Sequence, residues 1–416
     1  MTDAAHPLRR AAPPEPFFGR RVVHAAFVLA AFGWGVGFYG PPVYLQAVID
    51  RTGWPLPLVS AAVTFHFLVG AVAVANLPRI HRGLGVATTT VVGSALLAAG
   101  VMGWASADRP WLLFLAAAAS GIGWVAMGAA AVNAIVAPWF VRARPRALSA
   151  AYNGASIGGV VFSPLWVWAI AAFGFAAAAA GVGVAMIAMV AALAVAVFRH
   201  SPEGLGQAPD GDATAAAVAS PLSPGIVPLP GRALWRDRAF RSLAAGMALG
   251  LFAQIGLVAH LFSVLVPVLG AGAAGAAMAL ATACAIAGRT VVGRTMAPGA
   301  DRRRVAAVSY AVQIAGSLAC VAAAGDPAVL LAGVVLFGCG IGNATSLPPL
   351  IAQAEFVRED AARVVPAIVA VAQGAYAFAP AVFGLVRAGA SEAAMFMAAA
   401  LLQAAAIACL LAARRR

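Results

Sequence analysis

Twelve blocks of about twenty or more apolar residues recur along this chain, parted by short connectors rich in arginine. A bilayer core about 30 Å thick takes roughly 20 helical residues to cross, so blocks of this length are too long for strands or ordinary soluble helices. Lipid offers no partner for a bare N–H or C=O, so such blocks must fold as spanning helices. The chain is therefore read as an integral membrane protein, 63% hydrophobic and only 10% charged over 416 residues.

The blocks predict spans near 23–46, 56–79, 84–106, 110–139, 147–172 and 175–198 in the first half of the chain. In the second half they lie near 240–267, 271–296, 305–323, 327–353, 364–387 and 391–412. The blocks "AAFGFAAAAAGVG" and "VLGAGAAGAAM" leave room for only a very tight turn between neighbours.

Arginine placement tests the count, because basic residues gather on cytoplasmic connectors. One side receives Arg9, Arg10, Arg20, Arg21, Arg79, Arg82, Arg142, Arg144, Arg146 and Arg199. It also receives Arg232, Arg236, Arg238, Arg241, Arg294, Arg302 to Arg304, Arg358, Arg363 and Arg414 to Arg416. Only Arg51, Arg109 and Arg387 fall on the other. Twelve spans with both termini cytoplasmic are expected. The same spread disposes of nucleic acid as a partner: the net charge of +13 follows the inner ends of the spans, where topology and anionic lipid account for it.

The N-terminal "MTDAAHPLRRAAPPEPFFGRR" is polar and proline-rich, with no short apolar core before a cleavage site, and does not read as a cleaved signal. Residues 200–238 are rich in Pro, Gly and acidic side chains and read as a flexible cytoplasmic linker. The expected organisation is a tail (1–22), a six-helix half (23–199), the linker (200–238), a second six-helix half (239–412) and a basic tail (413–416). Aligning Val86 with Val305 gives a weak internal repeat that sets His66 opposite Ala285.

Six plus six spans around a long linker resembles the major facilitator superfamily. Its signature after span two, usually Gly-x-Leu-x-Asp-Arg-x-Gly, has a counterpart in "PRIHRGLG" (78–85), which keeps Gly85 and a basic residue, Arg82. The echo after span eight is "GRTMAPGADRRR" (293–304), with Gly293 and Arg294 kept and Pro298 in place of the acidic residue. Both copies lack the carboxylate that the family uses to hold the inner gate. Within the superfamily the first half is similar to the monocarboxylate porter and oxalate/formate exchanger branch. The matching elements are "FYGPPVYL" (38–45), "TGWPLPLVSAAVTF" (52–65) and "WFVRARPRALSAAYNGASIGGVVFSP" (139–164). "RTVVG" (289–293) resembles the Arg-Pro-x-x-Gly of the eukaryotic porters, with Thr290 for proline. The coupling aspartate four residues before that arginine is replaced by Ala285. The resemblance implies an all-α, twelve-helix transporter in two six-helix halves, and not an enzyme.

Arg289 stands eight residues before the expected end of its helix near Ala297, about 12 Å of rise, beyond the roughly 6 Å an arginine can snorkel. It must meet water or a partner. A guanidinium matches the two oxygens of a carboxylate, so Arg289 is the leading substrate-binding candidate. The competing reading is a structural arginine on helix carbonyls near the inner gate.

The acidic residues give a negative result. Asp50, Asp108, Asp326 and Glu392 fall at outer ends, and Glu203, Asp210, Asp212, Asp237, Asp301, Glu355, Glu359 and Asp360 on the inner side. With no mid-membrane carboxylate, an anion or neutral solute is favoured over a cation. His66, central in span two, is the candidate proton relay, against the plainer reading of a hydrogen-bonded core histidine. His260 reads as interfacial.

Tyr39 and Asn153 lie inside the family-like elements and, with Asn343 and Gln373, are expected to orient the solute. Tyr44, Gln46, Asn133, Gln254, Ser346 and Tyr376 are further polar candidates, each weighed against simple bridging between helices. Cys284, Cys320, Cys339 and Cys409 show no metal-site spacing and read as core filler, although Cys284 and Cys339 form a weak alternative soft-metal or metalloid site.

The sequence thus predicts a secondary transporter working by alternating access on a small organic anion such as a monocarboxylate. Coupling is to protons or to exchange, without a cofactor, as a monomer in a bacterial inner membrane. The runner-up is an exporter of a toxic neutral solute, drug or trivalent metalloid. A transporter-like receptor or scaffold is disfavoured, since only the linker could supply a soluble domain.

Overall fold

The computed structural model describes residues 17–211, 231–297 and 300–413. Arg9, Arg10, Pro298, residues 212–230 of the predicted linker and the basic residues 414–416 lie outside the described residues, as do the side chains of Arg232, Arg358 and Glu359.

Among the described residues, twelve helices are long and apolar enough to cross a bilayer. Span one comprises Gly19–Gly37 and Pro41–Thr52, span two is Leu56–Leu84 and span three Val86–Ser106. Span four joins Pro110–Val125 to Ala129–Val136, span five is Arg144–Phe173 and span six Phe175–Leu193 with a π-helical end at Ala194–Phe198. Spans seven to ten are Arg238–Leu269, Ala271–Thr295, Arg302–Ala322 and Pro327–Glu355. Span eleven joins Arg358–Tyr376 to Ala379–Gly389, and span twelve is Glu392–Ala412. No strand occurs among the described residues.

Local chemistry places the boundaries. Gly85, Gly174 and Gly270, at φ 76°, 80° and 77°, each form a one-residue turn between consecutive spans, a conformation that side chains with a Cβ rarely adopt. Three acidic residues at span ends are helix caps. Asp237 accepts from the Phe240 N–H (2.8 Å), Asp301 from those of Arg303 and Arg304, and Asp326 from those of Ala328 and Val329. Two of the three arginines on the minority side also have structural partners. Arg51 donates to the Ala107 carbonyl (2.8 Å), and Arg387 to Ser263 and Glu392.

Tight approaches within each half run over glycine. A methyl on Gly158 of span five would sit 2.4 Å from the Ala31 carbonyl of span one. One on Gly288 of span eight would sit 2.0 Å from that of Cys339 in span ten. Without a hydrophobic drive between helices in lipid, close backbone packing of this kind holds the bundle. Leu115, Trp168, Val184 and Leu401 are more than half exposed, as bilayer-facing side chains are.

The halves meet along a seam. The second piece of span one packs on span seven, span two on the second piece of span eleven, and span five on span eight. These contacts concentrate at mid-depth and at the face away from residues 200–211. There Thr64 accepts from the Ala381 N–H across the seam (2.9 Å), and Phe38, Pro41 and Pro42 close on Ile255 and Val258 around a void of about 10 Å³, room for roughly one water. Toward the opposite face, called here the linker face, no hydrogen bond joins the halves among the described residues.

Candidate functional site

Span one is interrupted at Phe38–Gly40, where Pro41 and Pro42 open a new helix and cannot donate to the old one. The break puts Tyr39 on the seam, its side chain beside that of Thr282 of span eight. Thr282 gives its own proton to the Met278 carbonyl (3.1 Å). Two turns further along the same face of span eight lies Arg289, half-buried and electrostatically coupled to Tyr39. Both Tyr39 and Thr282 rest on Gly159 of span five, where a Cβ would lie 2.7 Å from each.

The Arg289 Nε donates to the Gly342 carbonyl of span ten (3.2 Å). The same oxygen accepts from the Ser346 and Thr345 hydroxyls at 3.0 and 3.3 Å. Anchored through Nε, the guanidinium keeps both terminal nitrogens without a protein acceptor among the described residues. That fork is the geometry a carboxylate accepts in bidentate fashion. Asn343, beside Gly342, is buried with its Oδ1 unpartnered, whereas Gln373 is half-buried and Asn153 and Asn133 are exposed. Asn153 is turned about 100° from its neighbour Tyr152, which packs against Trp34 of span one at 6.5 Å between rings. Thr282, Trp34 and Tyr152 were not singled out by the sequence, where each sits in an apolar run without a marker.

His66 is fully buried, with Nε2 3.0 Å from the Gly37 carbonyl and Nδ1 2.8 Å from Ser120 Oγ. A carbonyl only accepts, which assigns the proton to Nε2. Ser120 also accepts from the Trp104 indole (3.2 Å), and the imidazole stacks on Trp124. His66 thus fixes the last carbonyl before the span-one break, two residues from Tyr39, and has no recorded contact with Arg289. His260 is not interfacial: it is buried, with Nε2 2.9 Å from the Pro380 carbonyl at the break in span eleven. Cys284 and Cys339 approach each other between spans eight and ten. Five residues from Arg289, Cys284 points about 140° away from it around the helix. Among the described residues no group of three or more His, Cys, Asp or Glu gathers as a metal site.

At the linker face the signature residues Arg82, Gly85, Gly293 and Arg294 are exposed. Two carboxylates outside the signatures make polar contacts at this face. Arg303, 1% exposed at the start of span nine, makes a two-point pair with Glu355 at the end of span ten (2.6 and 2.7 Å). It also donates to Ser242 and to the carbonyls of Leu410 and Ala239, tying spans seven, nine, ten and twelve. In the first half, Asp210 accepts from the backbone N–H groups of Val141, Arg142 and Ala143 before span five (3.1, 2.8 and 3.1 Å). Slight burial would raise its pKa, but these donors and the Arg142 charge outweigh that and hold the carboxyl below its ordinary value. Gln207 accepts from the Phe18 N–H (2.9 Å). The segment 200–211, expected to be flexible, is instead docked on the first half, because these side chains satisfy backbone donors that no helix uses.

Comparison with known proteins places the arrangement. The chain matches the family profile described as Major Facilitator Superfamily over residues 82–380. No curated protein matches it. Among solved structures it is similar to the nucleoside transporter NupG (TM-score 0.70, 12% identity, 95% of this chain and 98% of that one). It is likewise similar to the D323A mutant of NupG (0.69, 12%, 94% and 99%) and to a D-xylose-proton symporter (0.70, 11%, 94% and 96%). At such identities the likeness is one of fold.

Proposed function

This chain belongs to the Major Facilitator Superfamily and is a multi-pass membrane transporter of a small solute, and from that premise we propose that the solute is an organic anion such as a monocarboxylate. The observation that carries the proposal is the half-buried Arg289 guanidinium at the seam, held by Gly342 with its remaining donors unused. Tyr39 joins it from the other half, so an anion bound there would touch both halves. Alternating access follows as the halves rock about the seam. The arginine pattern supports cytoplasmic termini, and the absence of lysine beside abundant Ala and Arg supports a bacterial inner membrane; with that orientation the closed face is outside and the site opens inward. A monomer is proposed.

Asn343, beside the anchoring carbonyl, and Gln373 are proposed as further polar contacts, with Asn153 at the inner approach. Coupling is proposed to run by exchange or through His66, whose clamp on Gly37 adjoins Tyr39. Arg289→Ala in proteoliposomes should abolish carboxylate uptake and leave expression and thermal stability near wild type. Undiminished uptake would refute the binding role.

The Cys284–Cys339 approach favours a second reading, an exporter of trivalent metalloid. Its sulfurs lie on a different flank of span eight from Arg289, so the two readings need different sites. Equal arsenite resistance in cells expressing the wild type and the Cys284→Ser/Cys339→Ser variant would dismiss it.

A further inference from the structure

Aromatic rings from three spans of the first half adjoin the Tyr39–Arg289 pair, and their arrangement bears on what the carboxylate is attached to. Trp34 packs edge-on against Trp124 of span four (6.4 Å, 82°) and against Tyr152 of span five (6.5 Å, 74°). Phe38 continues the row, 6.2 Å from Trp124 and 5.0 Å from Tyr39. Trp34 and Tyr152 are half-buried, so part of each ring is left uncovered.

Trp34 also points the right way. On the same helix Gly33 and Gly37 face span four and Gly35 faces span five, which directs Trp34 into the angle between those spans. Tyr152 enters that angle from span five, on the same flank of its helix as Gly159 seven residues later, where span five meets Thr282 and Tyr39. A further sign is the Trp124 indole N–H, buried with no acceptor among the described residues. A buried tryptophan normally finds one.

We propose that the solute is an arene-bearing monocarboxylate, its carboxylate on Arg289 and its ring against Trp34 and Tyr152; this rests on the carboxylate reading of Arg289. Trp34 stands one turn before the break that carries Tyr39, whose backbone N–H donates to the Trp34 carbonyl (2.8 Å), so a ring on Trp34 and a carboxylate beside Tyr39 would be joined by a short spacer. Edge-to-face stacking rewards a flat ring beyond the area it buries, by up to about tenfold in affinity for one good contact. A saturated ring of the same size gains the burial alone.

The test is equilibrium binding to the purified full-length protein with three probes: 3-phenylpropionate, 3-cyclohexylpropionate and the neutral 3-phenylpropanamide. The expected order is the aromatic acid first, about tenfold tighter than its saturated analogue, with the amide weakest. Trp34→Ala should collapse the ratio between the two acids toward unity, and Trp34→Phe, which keeps a ring, should restore much of it. Should Trp34→Ala fail to fold, the Phe variant and the wild-type ratio decide. Equal binding of the two acids, or an unchanged ratio in Trp34→Ala, overturns the aromatic inference and leaves the carboxylate reading standing. Amide binding as tight as the acid, or no binding of either acid, overturns the carboxylate reading and this one with it.

Discussion

Arg303 and Glu355, 52 residues apart, form a two-point ion pair in which the guanidinium is 1% exposed and every recorded donor has a partner. Four spans converge on this one side chain, so it acts as the keystone of the second half at the linker face.

Breaking such a pair strands a charge, at a cost of about 3–5 kcal/mol. Glu355→Ala is expected to lower the melting temperature of the purified protein strongly. The double variant Arg303→Met/Glu355→Leu should recover part of the loss, since it leaves no unpaired charge. Melting curves in one detergent check both, and a Glu355→Ala curve coincident with wild type would contradict the keystone role.

Tyr39→Phe removes the hydroxyl proposed to donate to the bound carboxylate while keeping the ring. The loss of about 0.5–1.5 kcal/mol predicts carboxylate affinity weaker by roughly 2- to 13-fold. Arg289→Lys keeps the charge but not the fork, and should cost more. Titration calorimetry distinguishes the two, and a lysine variant binding as tightly as wild type would argue against two-point recognition.

Thr64→Val deletes the side-chain acceptor of the Ala381 N–H at the closed face. The closed arrangement should weaken by about 1 kcal/mol, raising the population open on that side several-fold. Labelling of a cysteine introduced at position 60 reports it, and an unaltered labelling rate would show that closure does not depend on this bond.

Asp210→Ala should free the docked segment, speeding hydrogen exchange at Val141, Arg142 and Ala143. The pH dependence follows from its lowered pKa. A carboxyl with a native pKa below its unfolded value contributes stability above the unfolded value, and loses it as pH falls through the native one. Docking should therefore persist at neutral and mildly acidic pH and fail only below the ordinary carboxylate range. Exchange rates at Val141 to Ala143 measured down a pH series, corrected for intrinsic rates, test this. Release already near neutrality would contradict it.

The spans were legible because hydropathy over twenty residues is a strong local signal, and the one-glycine turns were foreshadowed by blocks with no room for anything longer. Arg289 and Tyr39 were legible for different reasons, the first from its depth and the second from the Gly-Pro-Pro that breaks its helix. Thr282 and Trp34 were not, since only the seam gives them a role. Glu355 and Asp210 sat in segments that read as loop, and their value depends on which distant donors they reach. One local signal was present: Phe-Val-Arg occurs at 140–142, where Asp210 docks, and again at 356–358, just after Glu355. His260 was misplaced because its Pro380 partner is remote in sequence.

Gly159 has a consequence for how such a chain could vary. Tyr39 and Thr282 press on it from opposite halves, so its missing side chain sets the spacing of the seam. An alanine there would act as a shim one methyl thick, biasing the resting equilibrium without touching a solute contact. Turnover could drift through this position while selectivity stayed fixed.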